Sequence, residues 1–409
     1  MIEQSLGKNY SQFVNVLIFI FPILINSVKV GGDIVLFILA VMGIFIAISK
    51  KLSPFQIKEI KVFSYLTAGY FIALCLAVLF SVKGTEQAHL LSRDLYFLLA
   101  PFIALAFYKA EINVSYLLAG VKVGLIVLGL IIFDQLQSGN TRPSGVMNAD
   151  VFGNLAVSMF FVVLVFFKDE SFKYKVFTLV SLLSGVFVIV ASGTRGAWLS
   201  FLFLLVGYLY FLYRQKTLSS ARSKIIAVLI IAGLLSVVSL NQSVEDRAQL
   251  AYTQTAAWLS GDQTPNSVSL RLEMYKTAIV NVNDVPLFGH GLRTSNIVLY
   301  NLAPAKFKGY IVSFNHLHNT YLTNYFNGGI FLLGALLFLL FAPLWLFLKE
   351  NSQNHEEPIF IAGALLTAGY VSYGMVNILF GDVFMNAFYV FFLAIFMLLS
   401  NKSIKLTKD

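Results

Sequence analysis

The sequence predicts an all-α membrane protein that crosses the bilayer many times, and three observations carry that prediction. Of its 409 residues, 58% are hydrophobic and only 12% are charged, about half the charged fraction of a soluble domain. The mean hydropathy is +0.79. Apolar runs of roughly 17–22 residues, long enough to cross a bilayer as a helix, recur along the whole chain. A membrane β-barrel would instead show short segments of alternating polarity.

The apolar runs predict twelve spans. The first is interpreted as a span because few positive charges precede it and no clear small-residue cleavage site follows it. The predicted spans lie at about 13–28, 34–49, 62–81, 94–108, 114–133, 151–167, 175–192, 197–213, 224–240, 319–348, 358–378 and 383–400. The tenth is long for one span, which predicts a bend at Gly328–Gly329. The single cysteine, Cys75, excludes an internal disulfide and a cysteine-based metal cluster.

The distribution of lysine predicts the orientation and accounts for the net charge of +9 without invoking nucleic acid. Lysine-rich connections predict that the N-terminus and the C-terminal tail are both cytoplasmic. Residues 1–240 then hold spans one to nine, residues 241–317 form a large outer loop, and residues 318–409 hold spans ten to twelve and the cytoplasmic tail.

Arginine is concentrated on the predicted outer side, against the usual bias. The outer arginines are Arg93, Arg142, Arg195, Arg247, Arg271 and Arg293. The planar guanidinium binds phosphate oxygens in pairs and stays charged, so some of these arginines are predicted to bind a substrate. For Arg247 and Arg271, pairing with outer acids such as Glu245, Asp246 and Glu273 is an equal alternative.

The outer loop contains an amphipathic helix in its centre. Leu270, Met274 and Ala278 recur at a spacing of four over residues 268–282, which predicts a helix that lies over the mouth of the bundle or at the membrane interface. Residues 283–292 then bring Asn, Asp, Pro and two Gly, which end the helix.

Three arginines occur in settings typical of anion sites. Arg195 follows Gly193-Thr194 in a tight turn between spans seven and eight, where backbone N–H groups and a guanidinium form an anion nest, or alternatively an interfacial lipid contact. Arg142 lies in an irregular loop, for which an ordinary turn is an equal alternative, and Arg293 follows a Gly-His-Gly sequence. His290 in that sequence is interpreted as structural.

The stretch 313–329 contains the sharpest feature, two histidines two positions apart. His316 and His318 point different ways on a helix and no carboxylate cluster stands nearby, so a zinc site is not predicted. A helix that begins near Asn315 would direct His318 into the bundle mouth, where a neutral imidazole is a suitable general base. His316 is interpreted as a capping or core residue that supports it.

Motifs for nucleotides, dinucleotides, serine hydrolases and zinc proteases are absent from the sequence. No cofactor and no metal is therefore predicted. Lys122 lies inside span five and is either functional or paired within the membrane; the sequence leaves both open.

Together these features resemble a known family. The features are the spans, the outer loop, Thr194-Arg195 at the head of span eight, Ser-Leu-Arg-Leu-x-Met-Tyr at 269–275, and His-Leu-His-Asn at 316–319. The chain resembles the bacterial O-antigen ligases, within a wider ligase and polymerase family of membrane glycosyltransferases. The most specific part is His318-Asn319 followed after nine residues by Gly329, although Leu332 departs from the small or hydroxylated residue usual three positions later.

The resemblance implies transfer of O-antigen polysaccharide from undecaprenyl diphosphate to lipid A-core at the periplasmic face of the inner membrane, on a GT-C-like bundle. It implies His318 as the catalytic base and Arg195 and Arg293 as ligands of the diphosphate. The predicted topology adds Arg142 to these ligands, because it lies on the same side of the membrane. Supporting roles fall to His316, Asn319, Arg271 and Tyr275. The implied chemistry is an inverting transfer without cofactors or metals.

Two alternatives remain open at this point. An O-antigen polymerase would use the same donor with another lipid-linked glycan as acceptor. A transporter or flippase for a lipid-linked sugar would show repeat symmetry and broken helices at the midplane, whereas the polar features here gather at the outer face. The oligomeric state and the identities of the sugars are not predicted.

Overall fold

The computed structural model describes residues 2–81, 84–167, 171–215, 242–262, 264–353 and 357–406. In these ranges the chain forms fifteen α-helices and two 3-10 segments, Gly84–Asp94 and Val282–Asp284. The helices are α1 Ile2–Ser27, α2 Gly31–Ser49, α3 Lys58–Leu79, α4 Leu95–Lys109, α5 Val114–Gln137, α6 Ala149–Phe166, α7 Phe172–Ala191, α8 Arg195–Arg214, α9 Gln242–Leu259, α10 Ser267–Val280, α11 Ser295–Leu302, α12 Ala305–Ile311, α13 Thr320–Gln353, α14 Pro358–Tyr373 and α15 Val383–Leu406.

Ten of the described helices, α1 to α8, α13 and α15, are long and apolar enough to cross a membrane, α4 when it is taken together with the 3-10 residues before it, as Gln87–Lys109. The chain is therefore a polytopic membrane protein, as predicted. The predicted eleventh span corresponds to α14, which is apolar but has only 16 residues. The predicted ninth span, 224–240, lies outside the described residues.

The bundle is organised around α6 and α15, in which 83% of the span residues are buried, against 28% in α8. Aromatic side chains fill the space around α15; Phe391, for example, stacks on Phe21 of α1 with ring centroids 3.8 Å apart. Small residues let helices approach closely, as at Gly43 of α2, where a Cβ would meet the backbone of Phe102. A packed core of this kind holds the polar ends of the helices in fixed positions.

The predicted bend in the tenth span is confirmed. Gly328 and Gly329 interrupt α13 with non-helical dihedrals, φ −133° and φ 63°. The loop before α11 fills the break: His290 N and Gly291 N donate hydrogen bonds to the carbonyls of Phe326 and Asn327, both at 2.9 Å. The carbonyls released by the kink thus regain partners, which is what makes a break at this depth tolerable.

The helix begins at Thr320, in agreement with the predicted start of the tenth span at about 319, so the start near Asn315 on which the helical phase of His318 depended is not observed. The reason is local. His318 has φ 50°, which no right-handed helix accepts, and the Asn319 side chain caps the first turn by accepting a hydrogen bond from Leu322 N at 3.0 Å. Residues 315–319 are therefore a loop, and the helical phase that assigned His318 to a bundle-facing stripe does not apply.

Helices α9 to α12 form a cap at the end of the bundle where α6, α8 and α13 begin. The helix predicted over 268–282 is present as α10, which Asn266 opens with a capping box. The cap has a hydrophobic core of its own that includes Met274, Phe307 and Ile311, and it joins α13 through Phe326.

Candidate functional site

Two polar cavities lie side by side where the cap meets the bundle, and they share Asn377 as a common wall. The first, here called the arginine cavity, has a volume of about 240 Å³ and contains Arg142, Arg195, Arg247 and Arg271. The second, here called the amide cavity, has a volume of about 230 Å³. Its polar lining consists of Arg93, Asp94, Asn148, Arg293, Asn315, His316, Thr323, Asn324, Asn327, Asn377 and Asp382, with Tyr70 at its apolar wall.

The turn before α8 builds the floor of the arginine cavity. Gly193 adopts φ 61°, which reverses the chain after α7. Thr194 follows as the N-cap residue, and its Oγ1 donates a hydrogen bond that is shared between Ala149 O, at 3.1 Å, and Asp150 Oδ1, at 3.2 Å. Arg195 is then the first residue of α8, so its guanidinium and the positive end of the helix dipole act in one place.

Neutral oxygens hold two of the guanidinium groups. Arg195 Nη2 donates to Ser267 Oγ at 3.1 Å, and Arg247 Nη1 donates to Gly193 O at 3.2 Å. Arg142 is the exception, because its Nη2 lies 2.8 Å from Asp150 Oδ1. Four arginines thus face one carboxylate among the lining residues, all of which lie in described ranges. The cavity has a net positive charge and suits a multivalent oxyanion.

The amide cavity combines carboxylates, guanidinium groups and asparagines. Asp94 is buried, with 5% of its surface exposed, and accepts a hydrogen bond from Asn386 Nδ2 at 2.9 Å. Asp382 caps α15 by accepting from Phe384 N, and burial raises the pKa of this carboxyl group. Burial and the neighbouring Arg93 lower the pKa of Arg293, which Asp94 partly offsets. Cations and carboxylates therefore both face this space.

The two imidazoles of the loop before α13 lie against each other. Their ring centroids are 4.5 Å apart, at an interplanar angle of 62°. His316 lines the amide cavity and its Nδ1 is 2.6 Å from Asn315 Oδ1, an acceptor, which assigns the proton to Nδ1 and leaves Nε2 as the unprotonated nitrogen. Nε2 of His316 and Nδ1 of His318 are buried and have no hydrogen-bond partner among the described residues.

Both imidazoles are neutral at neutral pH. Burial, together with the charge of Arg271, lowers the pKa of His316 to about 4. Burial, then the neighbouring His316 and Arg271, lowers the pKa of His318 to about 3. The loop is held from the cap, because Tyr275 Oη donates to His318 O at 2.7 Å. The Asn319 side chain also ties the loop to the turn after α14, because its Nδ2 donates to Met375 O at 3.1 Å.

The structure groups the sequence-predicted residues differently from the prediction. Arg142 and Arg195 share a cavity with Arg271, which had been given a supporting role, whereas Arg293 lies in the neighbouring cavity. His318 contacts His316, and it is His316 that lines the amide cavity. Tyr275 holds the backbone of the histidine loop, and Asn319 anchors its end to α13 and to the turn after α14.

Sequence reasoning missed several residues of the amide cavity. Asp94 and Asp382 each lie just before an apolar helix, where a carboxylate is interpreted as an ordinary N-cap. The asparagines of the cavity are scattered between residues 148 and 377. Arg93 and Arg247 were recognised as outer arginines but not chosen. The Arg93-Asp94 pair at a helix start was the one local signal that could have pointed to this cavity.

Two comparisons bear on the family. Residues 177–339 match the family model described as O-Antigen ligase, which confirms the resemblance over the region from α7 to α13. An uncharacterized protein of Haemophilus influenzae (strain ATCC 51907 / DSM 11121 / KW20 / Rd) is 25% identical over 376 residues, which cover 90% of this chain and 93% of that protein. The matched region contains Arg195, Arg271, Arg293 and His318, but not Arg142.

Proposed function

We propose that the chain is a membrane glycosyltransferase that moves a glycan from a polyprenyl diphosphate to a sugar hydroxyl, and that it is an O-antigen ligase. The observation that carries the proposal is the convergence of four arginines on one cavity at the start of α8. Such a cavity suits the leaving diphosphate. The match of residues 177–339 to the O-antigen ligase family model supports the same class of reaction.

In the proposed reaction the acceptor hydroxyl gives its proton to an imidazole while its oxygen attacks the anomeric carbon of the donor sugar. The bond from that carbon to the diphosphate oxygen breaks, and the electron pair leaves with the diphosphate. The arginines stabilise the charge that develops there, as metal ions do in other enzymes. Because the leaving group is already activated, the step needs no nucleotide, and a single displacement inverts the anomeric configuration.

His318 is the proposed base, as its motif implies, and His316 supports it through ring contact. An imidazole with a pKa of about 3 or 4 is a weak base at neutral pH. A diphosphate bound beside Arg271 would add negative charge that offsets this arginine. The pKa of both rings should then rise towards the working pH when the donor binds, so that the base becomes effective only in the loaded enzyme.

The proposed donor is O-antigen on undecaprenyl diphosphate and the proposed acceptor is lipid A-core, at the periplasmic face of the bacterial inner membrane. The proposed architecture is the GT-C-like bundle predicted from the sequence, in which α14 counts as a span. An O-antigen polymerase is the alternative within the family, with the same use of the arginine cavity. The gathering of polar groups at one end of the bundle favours an enzyme over a flippase.

Reconstitution tests the proposal. Purified protein in liposomes receives lipid-linked O-antigen together with either lipid A-core or a second donor molecule. We expect transfer to lipid A-core, unaffected by EDTA, and a loss of about 10²–10⁴-fold in His318→Ala, the usual contribution of a general base. His290→Ala, which removes a ring that packs on Phe326 outside both cavities, is the control and should retain activity.

Other results would change the proposal. Products that contain only joined donors would identify a polymerase, and donor movement across the bilayer without a new glycosidic bond would identify a transporter. If His316→Ala lost all activity while His318→Ala kept it, the roles of the two histidines would be exchanged. A requirement for added divalent metal would refute the idea that arginines replace it.

A further inference from the structure

We propose that the amide cavity is the subsite for the acceptor sugar ring, with the glycan-bearing diphosphate on the other side of Asn377. This inference rests on the proposed function and deepens it, because it assigns the two substrates to two cavities. It also gives a role to three charged groups that the diphosphate chemistry leaves unused, the buried Asp94, the half-buried Asp382 and the exposed Arg93.

The hydrogen-bonding pattern of the asparagines supports a polyhydroxylated ligand. Asn148, Asn327 and Asn377 each accept a backbone hydrogen bond at Oδ1, from Asp150 N, Ser295 N and Ile378 N, at 2.9, 3.1 and 2.8 Å. Asn315 Oδ1 is likewise engaged, by His316 Nδ1. In all four the oxygen is taken by the protein, so that the NH₂ end remains to donate to sugar oxygens.

The cavity also presents acceptors and an apolar wall. Asp94 and Asp382 supply carboxylate oxygens, which accept from sugar hydroxyls as charge-assisted hydrogen bonds. On another side Tyr70 and Phe380 form a rigid aromatic surface, with ring centroids 5.4 Å apart. Tyr70 Oη is itself fixed by donating to Asn324 Oδ1 at 3.1 Å. Donors, acceptors and an aromatic wall in one enclosed space match a monosaccharide better than a bare phosphate.

The geometry of displacement assigns this sugar to the acceptor. The anomeric carbon of the donor is bonded to the diphosphate and must therefore lie at the edge of the arginine cavity. An inverting attack comes from the face opposite the leaving group. The amide cavity is the space on the far side of the shared wall, Asn377, and His316 at its edge is in ring contact with the proposed base, His318. A hydroxyl held in the amide cavity would thus lie beside the histidine pair and opposite the leaving group.

Separate titration of the two substrates tests the assignment. In the reconstituted reaction Asp94→Asn keeps the size of the side chain and an oxygen that can accept from Asn386. We expect it to raise the KM for lipid A-core about 10- to 100-fold, the factor for losing a hydrogen bond to a charged group, with the donor KM unchanged. Arg271→Lys should raise the KM for the donor and leave the KM for lipid A-core unchanged. Asp262→Asn, which changes a fully exposed carboxylate before α10, is the matched control and should alter neither value.

A second variant of the amide cavity tests the same assignment in case Asp94→Asn does not fold. Leu90 lines the amide cavity from the 3-10 segment before α4, and Leu90→Phe should narrow the cavity and raise the same KM. A higher donor KM in both amide-cavity variants would assign the cavity to the donor sugar and overturn the inference, as would unchanged values in both. If wild-type protein transfers nothing to any acceptor, the proposed function fails first, and this outcome is distinct because no KM can then be measured.

Discussion

Arg293 and His318 both have a left-handed backbone, with φ 56° and 50°. Within the described ranges only Lys51 shares this conformation among residues other than glycine. It costs such residues about 1–3 kcal/mol and persists where the surroundings enforce it, most often at functional sites. At His318 the surroundings are the Tyr275 hydroxyl on its carbonyl and the Asn319 cap that follows it. The strain therefore orients the histidine loop before any substrate arrives.

The depressed pKa values of the histidines predict the pH dependence of transfer. A protonated imidazole cannot accept a proton, so activity is lost only below the pKa of the catalytic ring. In the free enzyme this pKa is about 3 for His318 and about 4 for His316, well below the usual 6.5. We expect the acidic limb of kcat/KM below pH 6.5, and the limb of kcat at higher pH, because bound diphosphate offsets Arg271.

Arg271→Gln separates this explanation from simple burial. Loss of the positive charge should raise the pKa of both rings and move the kcat/KM limb to higher pH, even as the rate falls. The matched variant Arg214→Gln removes an arginine at the opposite end of α8 and should leave the limb in place. An acidic limb of kcat/KM at pH 6.5 or above in the wild type would contradict the prediction.

At the scale of single residues, the sequence predicted which types of residue form the site but not which of them share a cavity. The tight turn at 193–196 and the His-Asn motif predicted Arg195 and His318 as candidates. Arg271 shares a cavity with Arg195, and Arg293 does not, because of the way the cap folds back over α8. The hydrogen bond from Arg195 to Ser267, for example, joins residues that are 72 positions apart in the sequence. Such a distant pairing leaves no local pattern in one sequence.

The kink of α13 is the element that brings the cap and the bundle together. Gly329, at φ 63°, packs so closely on Leu287 that a Cβ would lie 2.0 Å from its carbonyl oxygen. The glycine pair predicted the bend, because its two residues tolerate the conformation and stand inside an overlong apolar run. The apolar run predicted the start of the helix at about 319, but the loop conformation of residues 315–318 was not predictable in the same way, since the local sequence also allows a helix from Asn315.

Gly329→Ala should destabilise the protein by about 2–4 kcal/mol, because its dihedrals of φ 63° and ψ −158° are essentially restricted to glycine and because an added Cβ would clash with the backbone. Gly334→Ala is the matched control, because Gly334 lies in the same helix and has ordinary helical dihedrals. Nothing lies within 4 Å of a Cβ added at this residue. This substitution should leave stability unchanged or raise it by up to about 1 kcal/mol. Unfolding in detergent, followed by circular dichroism, compares the two. Equal stability of the two variants would show that the contact with Leu287 is dispensable.

For the whole molecule, composition and run length sufficed to predict a polytopic helical protein. Ten of the predicted spans coincide with helices long enough to cross the bilayer. The span predicted at 358–378 was overestimated, because α14 ends at Tyr373 in a turn whose Gly374 carbonyl accepts from Thr320 N at 2.8 Å. Hydropathy alone does not show that the last residues of this run leave the helix and form part of the polar site.

Orientation is the property of the whole molecule that lysine bias predicts and helix packing does not. In the structure the cap and both cavities lie at the end of the bundle where α6, α8 and α13 begin, whereas the connection from α2 to α3 lies at the other end. We therefore expect Tyr252, 76% exposed on α9, outside the cytoplasm and Lys50 inside. In a Cys75→Ser background, Tyr252→Cys should react with a membrane-impermeant maleimide in cells with a permeabilised outer membrane, and Lys50→Cys only after lysis.

The outcome also constrains the chemistry. Lipid-linked diphosphate and lipid A-core can meet at this site only if the cap faces the compartment in which both glycans are exposed. Reaction of Lys50→Cys in intact cells, with Tyr252→Cys protected, would invert the molecule and put the arginine cavity in the cytoplasm, where the proposed transfer could not occur. Protection of both cysteines until detergent is added would instead mean that the maleimide does not reach these sites. A cysteine at the exposed Gly139, in the loop before α6, then provides a second test, because this residue lies at the same end of the bundle as the cap.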